Sequence, residues 1–157
     1  MKIIGKPTIN PIVFYTGKVS GYFVLIILIL LLMKIDVIDS TTFFYNRSIA
    51  LILLITGFVI TILSFFNLGN STSLGLPSEK TSLKTYGLYK YSRNPMYVGF
   101  NLITISSMIY SLNIPIVILG IYSIVVYHLI IKGEESYLLN RFGEEYQIYM
   151  RKVRRYI

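Results

Sequence analysis

The sequence predicts an all-α integral membrane protein with about four transmembrane helices and a C-terminal amphipathic helix. Of its 157 residues, 54% are hydrophobic and 14% are charged, which is too apolar for an ordinary soluble domain of this length. Four runs carry no Asp, Glu, Lys or Arg and approach the ~20 residues that a membrane span needs. They are residues 19–33, 49–66, 97–112 and 114–131.

The chain is expected to form a single membrane domain over residues 1–157. The first two spans fall in residues 1–66, and a polar loop, a helical hairpin and the C-terminal helix fall in residues 67–157. The first run is short, but Lys18 and Lys34 flank it and can extend their ammonium groups to the membrane interface. No small-residue cleavage pattern follows Lys34, so we expect a retained helix and not a signal peptide.

Spans three and four are predicted to form a tight antiparallel hairpin. Only Asn113 separates the two runs, and Pro115 follows it closely, which is typical of a turn. The hairpin would bring residues 91–97 (YSRNPMY) beside residues 133–139 (GEESYLL). These two motifs are therefore expected to share one end of the bundle.

Beyond Glu134, apolar residues recur at steps of three and four, with an interruption at Gly143. This pattern predicts an amphipathic helix in two pieces. The pattern is equally consistent with a helix that packs over the cytoplasmic end of the bundle and with a helix that only lies on the membrane surface.

The distribution of basic residues predicts that both termini and the 67–96 loop lie in the cytoplasm. Of the 15 Lys and Arg residues, 13 fall on that side and two on the other, and basic loops stay on the cytoplasmic side. The basic tail suits anionic lipid headgroups. With spans beside it, nucleic-acid binding is not expected.

The sequence also restricts the available chemistry. The absence of cysteine rules out disulfides and thiolate sites, and the single histidine, His128, rules out a histidine metal cluster. We expect no metal site, and an organic cofactor is the natural source of chemistry. His128 itself is interpreted as a histidine satisfied by a hydrogen bond.

Residues 91–97 combine a helix start with donors for a ligand. Asn94 is a favoured N-cap and Pro95 a favoured first helical residue. The exposed backbone N–H groups of such a start bind anions, and Arg93 adds a planar donor fork. The alternative is that Arg93 only flanks the membrane span and binds no ligand.

Glu134 and Glu135 stand across the hairpin from this start. Two interpretations are open for these glutamates. They lie on a solvent-exposed surface of the helix, or their carboxylates accept hydrogen bonds from an ammonium or hydroxyl group of a ligand. Together with the helix start they would form an anion site beside a cation site, as a zwitterionic amino-acid-bearing cofactor requires. Tyr97, Asn101 and Thr104 form a polar stripe in span three, interpreted mainly as interhelical hydrogen bonding.

Residues 82–100 (SLKTYGLYKYSRNPMYVGF), followed by a hydrophobic hairpin and residues 134–149 (EESYLLNRFGEEYQIY), resemble the signature of the isoprenylcysteine carboxyl methyltransferase family and its phospholipid methyltransferase relatives. The resemblance covers roughly the C-terminal half of the chain. It implies an S-adenosyl-L-methionine-dependent methyltransferase with a lipophilic acceptor that enters from the bilayer. The cofactor would bind at the cytoplasmic face, between the loop before span three and the start of the C-terminal helix.

The resemblance also implies which residues contact the cofactor. They are Thr81, Ser82, Leu83, Lys84, Tyr89, Asn94, Pro95, Met96, Tyr97, Glu134 and Glu135. Arg93 and Asn94 are the candidates for catalytic roles. Asn94 replaces the family's commoner histidine, so it would act as a hydrogen-bonding group and not as an acid or base.

A second departure concerns the acceptor. Ile130 stands where the eukaryotic enzymes carry a substrate-contacting arginine, which makes a prenylated cysteine carboxylate a doubtful acceptor. Two other functions remain open: an NADPH-dependent lipid or sterol reductase, and a non-catalytic membrane scaffold of the same fold. The sequence gives neither the acceptor atom nor the oligomeric state.

Overall fold

The computed structural model describes residues 7–35, 37–38, 44–68 and 82–157. Five α-helices form within them: α1 Pro11–Leu32, α2 Phe44–Leu68, α3 Pro95–Ser111, α4 Ile114–Phe142 and α5 Glu144–Lys152. A 3₁₀ turn at Gly87–Lys90 precedes α3. No β-sheet forms in these segments. The predicted class, an all-α membrane protein, is confirmed.

Three of the described helices are long and apolar enough to cross a membrane: Pro11–Leu32, Asn46–Leu68 and Ile114–Phe142. The third predicted span forms α3, whose 17 residues extend about 25 Å at 1.5 Å per residue. A hydrocarbon core is about 30 Å thick. Pro95 fixes its start, and Leu112, with φ at 44°, ends it. Helix α3 is thus at the lower limit of about 17 residues for a membrane span, so the described residues contain three long candidate spans and one shorter one.

Two helix boundaries differ from the sequence prediction. Helix α1 begins at Pro11, well before residue 19, because the Asn10 side chain accepts a hydrogen bond from the Ile12 N–H (2.9 Å). Helix α4 continues without a break to Phe142, so the first piece of the predicted amphipathic helix is the end of α4. Gly143, with φ at +52°, ends α4, and α5 forms the second piece.

Small residues bring the helices into close contact. Helix α1 runs antiparallel to α4, since Thr8 bonds to the Ile130 carbonyl and Ser20 to the Leu119 carbonyl. Helix α2 packs along α3, where a Cβ on Gly99 would lie 2.7 Å from the backbone oxygen of Gly57. Such small-residue contacts are typical of membrane helices.

A buried apolar cluster lies next to the two predicted motifs. It contains Phe14 of α1 and Val126, Tyr127 and Ile130 of α4, and Tyr97 and Phe100 of α3 pack against it. We call the end of the bundle that holds Glu134 and Glu135 the carboxylate end. The helix packing therefore places buried apolar side chains next to the carboxylate end.

Candidate functional site

The hairpin brings the two sequence motifs together, as predicted. The Tyr97 hydroxyl donates a hydrogen bond to Glu134 Oε1 at 2.8 Å. The Asn94 side-chain amide donates to Glu135 Oε1 at 3.1 Å, and Arg93 Nε donates to the same oxygen at 3.0 Å. The start of α3 therefore contacts both glutamates.

Glu135 is the centre of a buried ion cluster. Its side chain lies between two guanidinium groups, with Arg93 Nη2 2.9 Å from Oε1 and Arg155 Nη2 2.8 Å from Oε2. Arg93 also donates to the backbone oxygens of Met150 (3.2 Å) and Val153 (2.7 Å). Its donors are thus used within the protein, and they tie the end of α5 to α3 and α4.

The last residues of the chain fold back over the start of α3. Residues 153–156, here called the C-terminal strap, include a parallel bridge between Ser92 and Arg154. The Arg93 N–H donates to the Arg154 carbonyl at 2.9 Å, and the Asn94 amide donates to the Arg155 carbonyl at 3.2 Å. The hydrogen bonds from Arg155 to Glu135 raise the pKa of that guanidinium. The strap is therefore fixed at the carboxylate end by backbone and side-chain bonds.

Three buried tyrosines join α5 to the turn before α3. The Tyr149 hydroxyl donates to the Tyr89 carbonyl at 2.7 Å, and the Tyr146 and Tyr149 rings lie 5.9 Å apart. Burial raises the pKa of Tyr149 to about 12 and raises the pKa of Tyr89 and Tyr146 as well. All three phenols remain protonated at neutral pH.

Asn94 precedes α3 as predicted, but its side chain does not cap the helix. Asn10 and Asn113 stand before α1 and α4 in equivalent positions, and each accepts a hydrogen bond from a first-turn N–H of its helix. The Asn94 amide turns instead to Glu135 and the strap. The expected capping bond is therefore corrected, and the first-turn N–H groups of α3 lack this side-chain acceptor.

An aromatic cluster lies beside Glu134. The rings of Tyr97, Phe100 and Tyr127 are 5.8 to 6.0 Å apart between centroids. Among the hydrogen bonds of the described residues, Glu134 accepts only at Oε1. Its Oε2 is left for a further partner next to aromatic surface.

The other described residues predicted to contact the cofactor lie in the segment before α3 and in its first turn. Pro95 is buried and Met96 is half-buried in the first turn of α3. Ser82 is exposed, and the Lys84 ammonium lies 5.7 Å from the centre of the Tyr86 ring. The structure describes no hydrogen bond from Ser82, Leu83 or Lys84 to either glutamate. Thr81 lies outside the described residues.

Sequence reasoning missed the inward role of the strap. Tyr146 and Tyr149 were visible only as part of the apolar spacing of α5. Arg155 belonged to a basic tail assigned to lipid headgroups, and no local signal separated it from its neighbours Arg151 and Arg154. Its function depends on the reversal of the chain after α5.

A family model for phospholipid methyltransferases matches residues 45–145. The chain belongs to the phospholipid methyltransferase family. The match includes the start of α3 and both glutamates, and it ends within α5, before the strap. No match was found among curated proteins. Membership in this family implies a membrane methyltransferase of the phospholipid or isoprenylcysteine carboxyl kind, in agreement with the resemblance found in the sequence.

Proposed function

We propose that this phospholipid methyltransferase family member transfers a methyl group from S-adenosyl-L-methionine to a lipophilic acceptor. The cofactor would bind at the carboxylate end, between the segment before α3 and the start of the C-terminal strap. The observation that carries the proposal is the Tyr97–Glu134 pair beside a helix start that its own asparagine leaves uncapped.

The donors and acceptors at this end fit the polar groups of the cofactor. The first-turn N–H groups of α3 suit the methionine carboxylate, since helix N-termini bind anions. Glu134 Oε2 suits the ammonium group or a ribose hydroxyl. The tyrosine faces next to Glu134 suit a sulfonium through cation–π attraction. When bound, the cofactor supplies an activated methyl group.

The protein's own contribution is orientation and the exclusion of water. Tyr97 fixes the Glu134 carboxylate by a 2.8 Å hydrogen bond. Arg93 and Asn94, the two candidates for catalytic roles, hold Glu135 and the strap in place through the bonds described above. We therefore assign them a positioning role in which they close the site.

We also propose that the carboxylate end faces the cytoplasm. The segments on that side, residues 1–18, 67–96 and 132–157, carry 13 of the 15 Lys and Arg residues. Such an excess marks the cytoplasmic side of short-looped membrane proteins.

The test is transfer of labelled methyl from S-adenosyl-L-methionine into a total membrane lipid extract by the purified protein in detergent. We expect a labelled lipid product with wild-type protein and a large loss with Glu134→Gln. Binding of NADPH in place of S-adenosyl-L-methionine would instead support a reductase. A folded protein that binds neither would support a scaffold.

A further inference from the structure

A lysine lies inside the first spanning helix. The sequence pattern predicts that Lys18 flanks the first span, but α1 begins at Pro11. Lys18 therefore lies about two turns inside the helix, at 3.6 residues per turn, and it is half-buried. A charged side chain within a membrane helix is costly, and it usually faces the protein interior and has a partner there. The position of Lys18 thus calls for a partner inside the bundle.

The Lys18 side chain extends towards the carboxylate end. Side chains on a helix tilt towards its N-terminus, and Lys18 Nζ lies 4.2 Å from the centre of the Phe14 ring in the preceding turn. The N-terminal part of α1 also packs next to the glutamates. A Cβ on Gly133 would lie 2.7 Å from Thr8 Cβ, and Gly133 directly precedes Glu134 in α4.

The partner of Lys18 at this end is Glu134. Phe14 belongs to the apolar cluster against which Tyr97 packs, and Tyr97 donates its hydrogen bond to Glu134. The Lys18 ammonium and the Glu134 carboxylate attract each other. They do not form a direct ion pair, because the salt bridges of the described residues all involve Glu135. Lys18 therefore supplies a nearby positive charge and leaves Glu134 Oε2 accessible to a ligand.

The two adjacent glutamates have different charge environments. Glu135 contacts two guanidinium groups. Glu134 accepts a hydrogen bond from the neutral Tyr97 hydroxyl and lies beside aromatic rings. Apolar surroundings favour the neutral form of a carboxyl group, and a nearby cation favours the ionised form. Among the described residues, Lys18 is the cation that acts on Glu134, so the charge of Glu134 depends on it.

We propose that Lys18 is a positioning residue that keeps Glu134 ionised and thereby sets the pH range in which the site binds S-adenosyl-L-methionine. The proposal rests on the methyltransferase function proposed above. An ionised Glu134 attracts the ammonium group of the cofactor, whereas the protonated acid lacks that charge. Lys18 precedes the residues that match the family model, so this contribution comes from the first helix of this chain.

The experiment measures the affinity for S-adenosyl-L-methionine by isothermal titration between about pH 5 and about pH 8. Affinity should fall as the pH falls, because Glu134 then takes up a proton. In Lys18→Met the affinity should be half lost at a pH about one unit higher than in wild type, as loss of a nearby opposite charge predicts. Lys18→Arg keeps the charge and should follow the wild-type profile.

A second lysine provides the matched control. Lys34 lies just beyond the other end of α1 and is exposed. Lys34→Met therefore makes the same chemical change on the same segment of the chain, away from the carboxylate end. We expect its pH profile of cofactor affinity to coincide with that of wild type.

Other titratable groups near the site are separated from Glu134 by a double variant. Tyr97 and Tyr89 face Glu134 from α3 and the turn before it, and phenols ordinarily titrate near pH 10. His128 ordinarily titrates in the measured range; as predicted it has a hydrogen bond, with Nδ1 2.7 Å from the Tyr156 hydroxyl. In a Glu134→Gln background, Lys18→Met should cause no shift of the profile. A shift that arises from His128 would persist there.

Thermal unfolding in detergent gives a readout that needs no cofactor. Lys18→Met should lower the thermal midpoint more in the otherwise wild-type protein than in the Glu134→Gln background, because it leaves a carboxylate uncompensated only when Glu134 is present. If Lys18→Met does not fold, Lys18→Gln gives the same comparison with a polar side chain.

Two results would overturn the role of Lys18. The first is a Lys18→Met pH profile that coincides with that of wild type. The second is an equal change of thermal midpoint in both backgrounds. Folded wild-type protein that binds no S-adenosyl-L-methionine would instead contradict the proposed function, and the thermal midpoints would still decide whether Lys18 compensates the charge of Glu134. The two failures are thus distinguishable.

Discussion

Asn94 donates its side-chain hydrogen bond to Glu135, 3.1 Å away, and does not cap the helix that it precedes. The two residues lie 41 positions apart in the chain, and the α3–α4 hairpin joins them. This contact leaves the α3 N-terminus without its usual side-chain acceptor. It also gives the buried Glu135 carboxylate a third donor residue beside Arg93 and Arg155.

Two substitutions of Asn94 distinguish the effect of a helix cap on stability from its effect on cofactor binding. Asn94→Ser introduces a hydroxyl that can cap α3, whereas Asn94→Ala cannot, and a cap is worth about 1 kcal/mol. We expect Asn94→Ser to be the more stable of the two and to bind S-adenosyl-L-methionine more weakly, because its hydroxyl competes for the same N–H groups. Thermal midpoints and isothermal titration measure both. Tighter cofactor binding by the serine variant than by the alanine variant would count against a role for the free helix start.

The second prediction concerns Glu135. Glu135→Gln leaves Arg93 buried without its counter-charge, and loss of one partner of a buried pair costs about 3 to 5 kcal/mol. We expect a lower thermal midpoint and faster trypsin cleavage after the basic residues of the tail. The control Glu145→Gln, on the exposed face of α5, should stay within about 0.5 kcal/mol of wild type. Equal cleavage rates for the two variants would refute the anchoring role of Glu135.

The two arginines that bind Glu135 should differ in their contributions. The Arg93 side chain is 10% exposed and also bonds to the Met150 and Val153 carbonyls, whereas the Arg155 side chain is 36% exposed. Solvent screens the second pair, so Arg155→Ala should cost about 1 kcal/mol or less. Arg93→Ala should cost several times more. Denaturant unfolding in detergent provides the comparison, and an equal loss for both would contradict the assignment.

We expect the stabilising contribution of Tyr149 to be lost at high pH. Burial raises the pKa of its phenol to about 12, above the ordinary value near 10. The folded state holds this proton more tightly than the unfolded state does. The protonated phenol of Tyr149 therefore makes its full contribution to the free energy of unfolding below about pH 10, and that contribution is lost as the pH rises towards 12. Tyr149→Phe lacks this titration, so the stability gap between wild type and variant should narrow between those pH values. A gap that stays constant over this range would show that Tyr149 does not titrate there.

Local sequence signals were sufficient to predict the hairpin and the helix content. Asn113 and Pro115 indicated a turn, and the uncharged runs on either side indicated helices. The start of α1 was missed because Lys18 interrupts the apolar run, although Asn10-Pro11 is a normal helix start. Helix α4 continues through Gly133, where a Cβ would lie 2.7 Å from the Thr8 side chain, so tertiary packing accounts for a glycine at this position.

The site was predictable only in part, for a similar reason. The meeting of Asn94 and Tyr97 with the glutamates follows from the hairpin alone. The contact of Arg155 with Glu135 depends on how Gly143 and α5 return the tail to α3. The orientation of the Asn94 side chain could not be predicted either. The same amide can cap α3 or donate a hydrogen bond to Glu135, and local sequence does not decide between these two arrangements.

Isothermal titration of the detergent-solubilised protein with S-adenosyl-L-methionine is the decisive measurement for the proposed cofactor site. We expect saturable binding at sub-millimolar cofactor for wild type and for the control Glu145→Gln. Glu134→Gln should bind about tenfold more weakly, as loss of a hydrogen-bond acceptor for the cofactor predicts. Folded wild-type protein that gives no binding, or Glu134→Gln that binds as tightly as wild type, would contradict it.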